Sequence, residues 1–134
     1  MSEDPNPKTV WPCLVYEDAP EAIRFLVDAF GFEERVVVKD DDDPSVIVHA
    51  ELRWPEGGGV MLGTVGHGSV LDRRPAGGGA AYVVTDRPDE IHDRAIAAGA
   101  KVLQGLTDED YGSRGFTLSD PEGTIWSFGT YRGE

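Results

Sequence analysis

The chain has 134 residues, enough for one domain with a core of its own, and its 25 acidic against 12 basic residues give a formal charge of −13. That charge repels phosphate backbones and anionic lipid, so no nucleic acid or membrane is expected as partner, whereas a cationic ligand would be attracted. The single cysteine, Cys13, excludes an intramolecular disulfide framework, no apolar run approaches membrane-spanning length, and Met1 to Pro7 is acidic and proline-rich where a signal peptide would be basic then apolar, so a cytoplasmic location is expected.

In chain order, Thr9 to Tyr16 reads as a first strand, with Pro12 marking an edge or bulge because it lacks a ladder donor. Glu17 and Asp18 turn the chain. Ala19 to Phe30 predicts a helix whose Ile23, Leu26, Val27 and Phe30 form an apolar stripe, with Arg24 and Asp28 on the wet side. After Gly31, Phe32 to Val38 is a second strand, and Asp40 to Pro44 is a solvated acidic turn lacking the ligand spacing of a calcium loop. Val46 to Trp54 is a third strand, Pro55 to Gly59 a hairpin connection and Val60 to Thr64 a fourth strand. Val65 to Gly79 is glycine-rich and reads as a linker. The order then repeats: strand Ala80 to Thr85, helix Arg87 to Ala98, strand Lys101 to Leu106, loop Thr107 to Ser113, strand Arg114 to Ser119, turn Asp120 to Gly123, strand Thr124 to Thr130.

The repetition is in the residues as well as in the order. Asp18 to Gly31 recurs, degraded, as Asp86 to Gly99, and 86 − 18, 88 − 20 and 99 − 31 all equal 68. Each copy opens on an aspartate able to accept first-turn N–H groups, carries proline where its missing donor costs little, and closes on glycine. The fold class expected is therefore α+β, two βαβββ modules in tandem, about residues 9–64 and 79–131, within one domain. Leu62-Gly63-Thr64 answers Phe128-Gly129-Thr130 at an offset of 66.

Strand alternation assigns faces. Even positions, among them Leu14, Tyr16, Ala50, Leu52, Leu62, Tyr82, Val84, Phe116, Leu118, Trp126 and Phe128, predict the core under the helices. Odd positions, including Trp11, Cys13, His49, Glu51, Arg53, Met61, Gly79, Ala81, Thr117 and Ser127, make a face too apolar for open water and too polar for a second core, the composition of a ligand pocket.

Tandem βαβββ modules containing Asp18 to Glu33 and Tyr111 to Tyr131, the latter with its Asp-Pro-Glu-Gly-Thr-Ile-Trp run, resemble the vicinal oxygen chelate superfamily, which holds glyoxalase I, bleomycin resistance proteins, fosfomycin-inactivating transferases and extradiol dioxygenases. The resemblance implies strands curled into a mixed sheet around a cleft, helices on the outer face, and often a homodimer. It does not imply one activity. The superfamily's metalloenzymes carry His or Glu ligands on the first and last strands of each module. The matching positions here, Trp11, Met61, Gly79 and Ser127, offer no usual donor set, so no metal and no cofactor is expected. A displaced metal would have to use His49, Glu51 and Cys13.

His49 and Glu51, two apart on one strand, fit a general base and its orienting partner, or equally a structural pair with Glu51 held by Arg53 or Arg114. Arg114 at a strand entrance would clamp an anion or pin a loop. Trp11 and Tyr111 would stack on a planar or cationic ligand. Cys13, Arg53, Met61, Thr117 and Ser127 complete the expected ligand-binding set, and His67 and His92 are expected in solvent. Three functions follow: a binding protein that sequesters a small molecule, an isomerase or lyase of the glyoxalase type using His49 and Glu51, or an oligomerising structural or regulatory domain with a vestigial cleft.

Overall fold

The computed structural model describes residues 10–67 and 70–133; the proline-rich lead and Thr9, the start of the expected first strand, lie outside them. The elements are β1 (Cys13–Tyr16), α1 (Ala19–Phe25) continued by a π-helical turn (Leu26–Phe30), β2 (Glu33–Lys39), β3 (Ile47–Arg53), β4 (Gly59–Thr64), a 3-10 turn (Val70–Arg73), β5 (Ala80–Val84), α2 (Pro88–Ala97), β6 (Lys101–Asp108), β7 (Arg114–Ser119) and β8 (Ile125–Gly129). The protein is α+β, with two four-stranded mixed sheets in the orders β1-β4-β3-β2 and β5-β8-β7-β6. In each, the first strand of the module runs parallel to its last and the other pairings are antiparallel.

The helix starts form as their sequences dictate. Asp18 caps α1 by accepting the Glu21 N–H at 3.2 Å, and Pro20 and Pro88 stand in first turns, where a missing donor is harmless. α2 begins one residue later than the repeat predicts, on Arg87 as its flanking residue rather than Asp86. The two modules therefore start their helices 69 apart (88 − 19) and end them, at Gly31 and Gly99, 68 apart. The first helix absorbs its extra residue in the π turn.

That single residue overturns part of the face assignment. Cys13 pairs with Met61 and Tyr82 with Ser127, so β1 and β5 match at an offset of 69 while β4 and β8 match at 66. In β5 it is Ala81 and Val83, opposite Trp126 and Phe128, that pack on the core. Tyr82, expected inside, is 48% exposed on the opposite face, because a shift of one position moves every side chain of a strand across the sheet.

One apolar cluster joins the halves. Phe30 packs its ring on Phe25, Phe32, Trp126 and Phe128, at centroid distances of 4.8 to 6.5 Å, so the π turn of the first helix fills the core of the second sheet. Polar bonds fix the same contact. The Glu122 carboxylate, in the β7–β8 turn, accepts the Glu17 and Asp18 N–H groups at 2.7 and 2.9 Å. Reciprocally, Glu56, in the β3–β4 turn, accepts from the Asp86 N–H at 2.9 Å and the Thr85 hydroxyl at 2.7 Å. Each module's turn thus holds the other module's helix entrance. Arg94 adds bonds from α2 to the Val27 and Asp28 carbonyls at the end of the first helix. Since both apolar faces turn toward this common cluster, the mixed face of each sheet turns away from it.

The Asp40 to Pro44 segment is the solvated turn expected: the Asp40 carboxylate accepts the Asp42 and Asp43 N–H groups, and Asp43 accepts from Ser45.

Candidate functional site

The mixed face of the first sheet carries a groove of about 520 Å³, lined by Cys13, Leu14, Val48, His49, Met61 and Leu62, with Leu71 and Asp72 of the 3-10 turn laid over it. Pleat and register put its groups in rows. Cys13, Met61 and Glu51 follow one another across β1, β4 and β3, and His49 stands two residues from Glu51 on the same face. The His49 Nε2 lies 2.8 Å from a Glu51 carboxylate oxygen, so the two side chains meet on this face. Glu51 is not held by Arg53 or Arg114. Arg53 pairs instead with Glu33 across the β2–β3 ladder at 3.2 Å, outside the groove lining.

Asp72 was not foreseen. Its residue is 8% exposed, and its carboxylate approaches β4 so closely that a Cβ on Gly63 would stand 2.9 Å from one oxygen. The isolated glycine inside a strand was the available signal, since such a glycine marks close approach of another group.

The mixed face of the second sheet holds a smaller recess of about 110 Å³, where Tyr82, Gln104, Tyr111, Thr117, Ser127 and Tyr131 meet. The Thr117 and Ser127 hydroxyls are 3.0 Å apart, and the Tyr111 and Tyr131 rings meet edge to face at 5.9 Å. Tyr82 donates to the Tyr131 carbonyl at 2.7 Å and lies over Gly129, where a Cβ would stand 2.7 Å from its hydroxyl oxygen. Partial burial raises its phenol above the ordinary value.

The expected ligand-binding set is therefore divided. Cys13 and Met61 belong with His49 in the first groove; Tyr111, Thr117 and Ser127 belong to the second recess. Trp11 packs against Gly59 at the β3–β4 hairpin. Arg114 binds Asp89 of α2 through two bonds, at 2.8 and 3.1 Å, and Asp108 of β6 at 3.0 Å. The Asp89 bonds first, then Asp108, raise the Arg114 guanidinium further above its already high range and hold it as a brace between helix and sheet. His92, expected in solvent, instead sets its ring edge to face with Phe116 at 5.2 Å and bonds Asp93.

The donor chemistry at the strand positions that would carry metal does not fit a divalent cation. With the offset corrected, Ala80 replaces Gly79 as the counterpart of Trp11, and indole, thioether, methyl and a lone hydroxyl supply no hard ligand set. Among the described residues no three His, Cys, Asp or Glu side chains are grouped to hold a metal ion. None of the described helices is long and apolar enough to cross a membrane.

Comparison with known proteins agrees with this architecture. Residues 8–128 match the model of the Glyoxalase/Bleomycin resistance protein/Dioxygenase superfamily. An uncharacterized protein of Mycobacterium tuberculosis (strain ATCC 25618 / H37Rv) is 36% identical over 125 residues, 88% of this chain and 71% of its own. The crystal structure of TioX from Micromonospora sp. ML1 is 31% identical, spans 90% of this chain and 97% of its own, and superposes with a TM-score of 0.73. A superfamily member from Sphaerobacter thermophilus, 22% identical over 90% of this chain and 95% of its own, shares the fold with a TM-score of 0.60.

Proposed function

From the premise that this chain belongs to the Glyoxalase/Bleomycin resistance protein/Dioxygenase superfamily, we propose that it is a small-molecule-binding protein whose ligand lies in the groove on the β1-β4-β3 face and which works without the superfamily's usual metal. The observation that carries this reading is the groove's lining: apolar walls from Val48, Met61 and Leu71, with His49 and Asp72 as the convergent polar groups. The strand positions that would hold a metal support the second part, since their side chains are poor ligands. We assign the protein to the cytoplasm and expect a homodimer, a state that would add a partner's surface to each outward face.

A thermal-shift panel of small aromatic and cationic compounds tests the binding reading. Stabilisation that rises with ligand concentration is expected, because a ligand bound only by the folded state raises its melting temperature. A flat response across the panel, together with turnover of any substrate, would overturn it.

The His49–Glu51 contact supports a second reading, an isomerase or lyase in which Glu51 orients His49 as general base. On that reading His49→Ala removes turnover and leaves the melting temperature nearly unchanged; retained turnover in the variant rules it out.

A further inference from the structure

We propose that the recess on the second sheet is a binding site of its own and that it takes a single sugar ring, an uncharged polyol held through its hydroxyls. This site lies apart from the first groove and does not depend on the reading given to it.

Each of the four strands brings one polar side chain. Tyr82 pairs with Ser127, Ser127 with Thr117 and Thr117 with Gln104, so the outward face of the β5-β8-β7-β6 sheet carries a continuous row of hydroxyls ending in an amide. β6 departs from regular pairing on both sides of Gln104, after Val102 and again before Thr107. Such bulges re-aim side chains and recur beside functional sites. Two positions along the same face, Gly115 stands opposite Gly129. Neither has room for a Cβ: at Gly115 it would run into the Phe128 carbonyl, and at Gly129 it would stand 2.7 Å from the Tyr82 hydroxyl oxygen. The polar row is therefore bordered by a floor of bare backbone. Tyr111, from the β6–β7 loop, and Tyr131, from the segment after β8, set edge to face, wall the recess.

The chemistry of this lining selects a polyol. Hydroxyl and amide groups both donate and accept, as sugar hydroxyls do, and the Thr117 and Ser127 oxygens, 3.0 Å apart, are spaced like two neighbouring hydroxyls of a sugar ring. Tyrosine joins an apolar ring to a polar tip, which suits the C–H face and the hydroxyl edge of such a ring. Glu109 adds an acceptor, and no Lys, Arg or His is among the described residues that line the recess, so an anionic ligand would find no counter-charge there. Arg114, at the start of β7, is spent on Asp89 and Asp108. The volume of about 110 Å³ limits the occupant to one ring. An apolar ring of that size would take the Thr117, Ser127 and Gln104 groups out of water without pairing them, which costs binding energy.

The test is an amide chemical-shift titration of the full chain with the methyl pyranosides of glucose, galactose and mannose and, separately, with cyclohexanol and phenol, rings of similar size that carry one hydroxyl. At least one glycoside should give saturating changes centred on Tyr82, Gln104, Thr117, Ser127 and Gly129, at concentrations about fivefold or more below those needed with cyclohexanol or phenol, the factor expected of one additional hydrogen bond. Gln104→Ala and Tyr111→Ala, both at exposed positions, should each weaken that glycoside about fivefold without moving the melting temperature. No saturating change at these residues with any of the three glycosides would overturn the proposal. So would binding of cyclohexanol or phenol as tight as that of the best glycoside, or wild-type affinity in both variants. The comparison of glycoside with cyclohexanol in the wild-type protein decides the matter even if a variant fails to fold, and its failure leaves the first groove as it stands.

Discussion

The Tyr16 hydroxyl donates to the Asp120 carboxylate at 2.6 Å across 104 positions of sequence, joining β1 of the first module to the β7–β8 turn of the second. Asp120 also takes the Trp126 indole N–H at 3.1 Å and the Glu122 and Thr124 backbone N–H groups, so one buried carboxylate gathers both halves. Burial first, then the charge of Asp120, pushes the Tyr16 phenol well above its ordinary value.

Tyr16→Phe should therefore cost about 1 to 3 kcal/mol, the penalty for removing one partner of a buried bond. The pH dependence supplies a second signature. Because the folded-state phenol titrates above its unfolded value of 10.0, the stability it contributes is complete below that value and is lost as pH rises past it. Urea midpoints of the wild type should fall above about pH 10 and those of Tyr16→Phe should fall less; equal alkaline slopes would contradict the assignment.

The reciprocal turns predict behaviour in acid. Burial raises the Glu56 carboxyl, but the bonds from the Asp86 N–H and the Thr85 hydroxyl outweigh it and leave the group below its ordinary 4.5. A depressed carboxyl contributes stability that is present above the unfolded value and disappears as pH falls through the folded one. Glu56→Gln should reduce the loss of stability on acidification below about pH 4.5. Denaturant titrations from neutral pH down to that range check the sign.

Phe30→Ala should be among the most damaging single substitutions, about 3 to 5 kcal/mol, because it opens a cavity against four aromatic rings of both halves. Calorimetry on the variant measures it. A cost near that of a surface substitution would mean the two sheets do not share a core.

Arg114→Ala should behave in the opposite way. Its partners Asp89 and Asp108 are solvent-facing, so water screens the pairs and the loss of stability should be small. Ligand binding should not change, since the guanidinium braces α2 rather than lining either depression. A marked loss of affinity in a thermal-shift titration would return Arg114 to the site.

What could be read from the chain and what could not divides at one residue. The repeat was legible because Asp18, Pro20 and Gly31 have counterparts in local roles that few residue types fill. The His49–Glu51 pair was legible because period-two alternation puts both on one face. The π turn was not, since Ile23, Leu26, Val27 and Phe30 read as the stripe of an ordinary α-helix and nothing in them marks an inserted residue, and that hidden residue reversed β5 and concealed Tyr82. Asp72 was hidden for a different reason: it sits in a glycine-rich connection with no periodicity to place it. Only tertiary packing brings it over Gly63. Arg114 showed its charge in the sequence, but not which carboxylates would claim it.

The most direct test of the account is an amide chemical-shift titration of the full chain with those small aromatic or cationic compounds that raise its melting temperature. The account predicts saturating changes centred on Cys13, His49, Met61, Gly63 and Asp72, the strands and turn that form the first groove. Changes confined to Tyr82, Tyr111 and Ser127, or none at all, would contradict it.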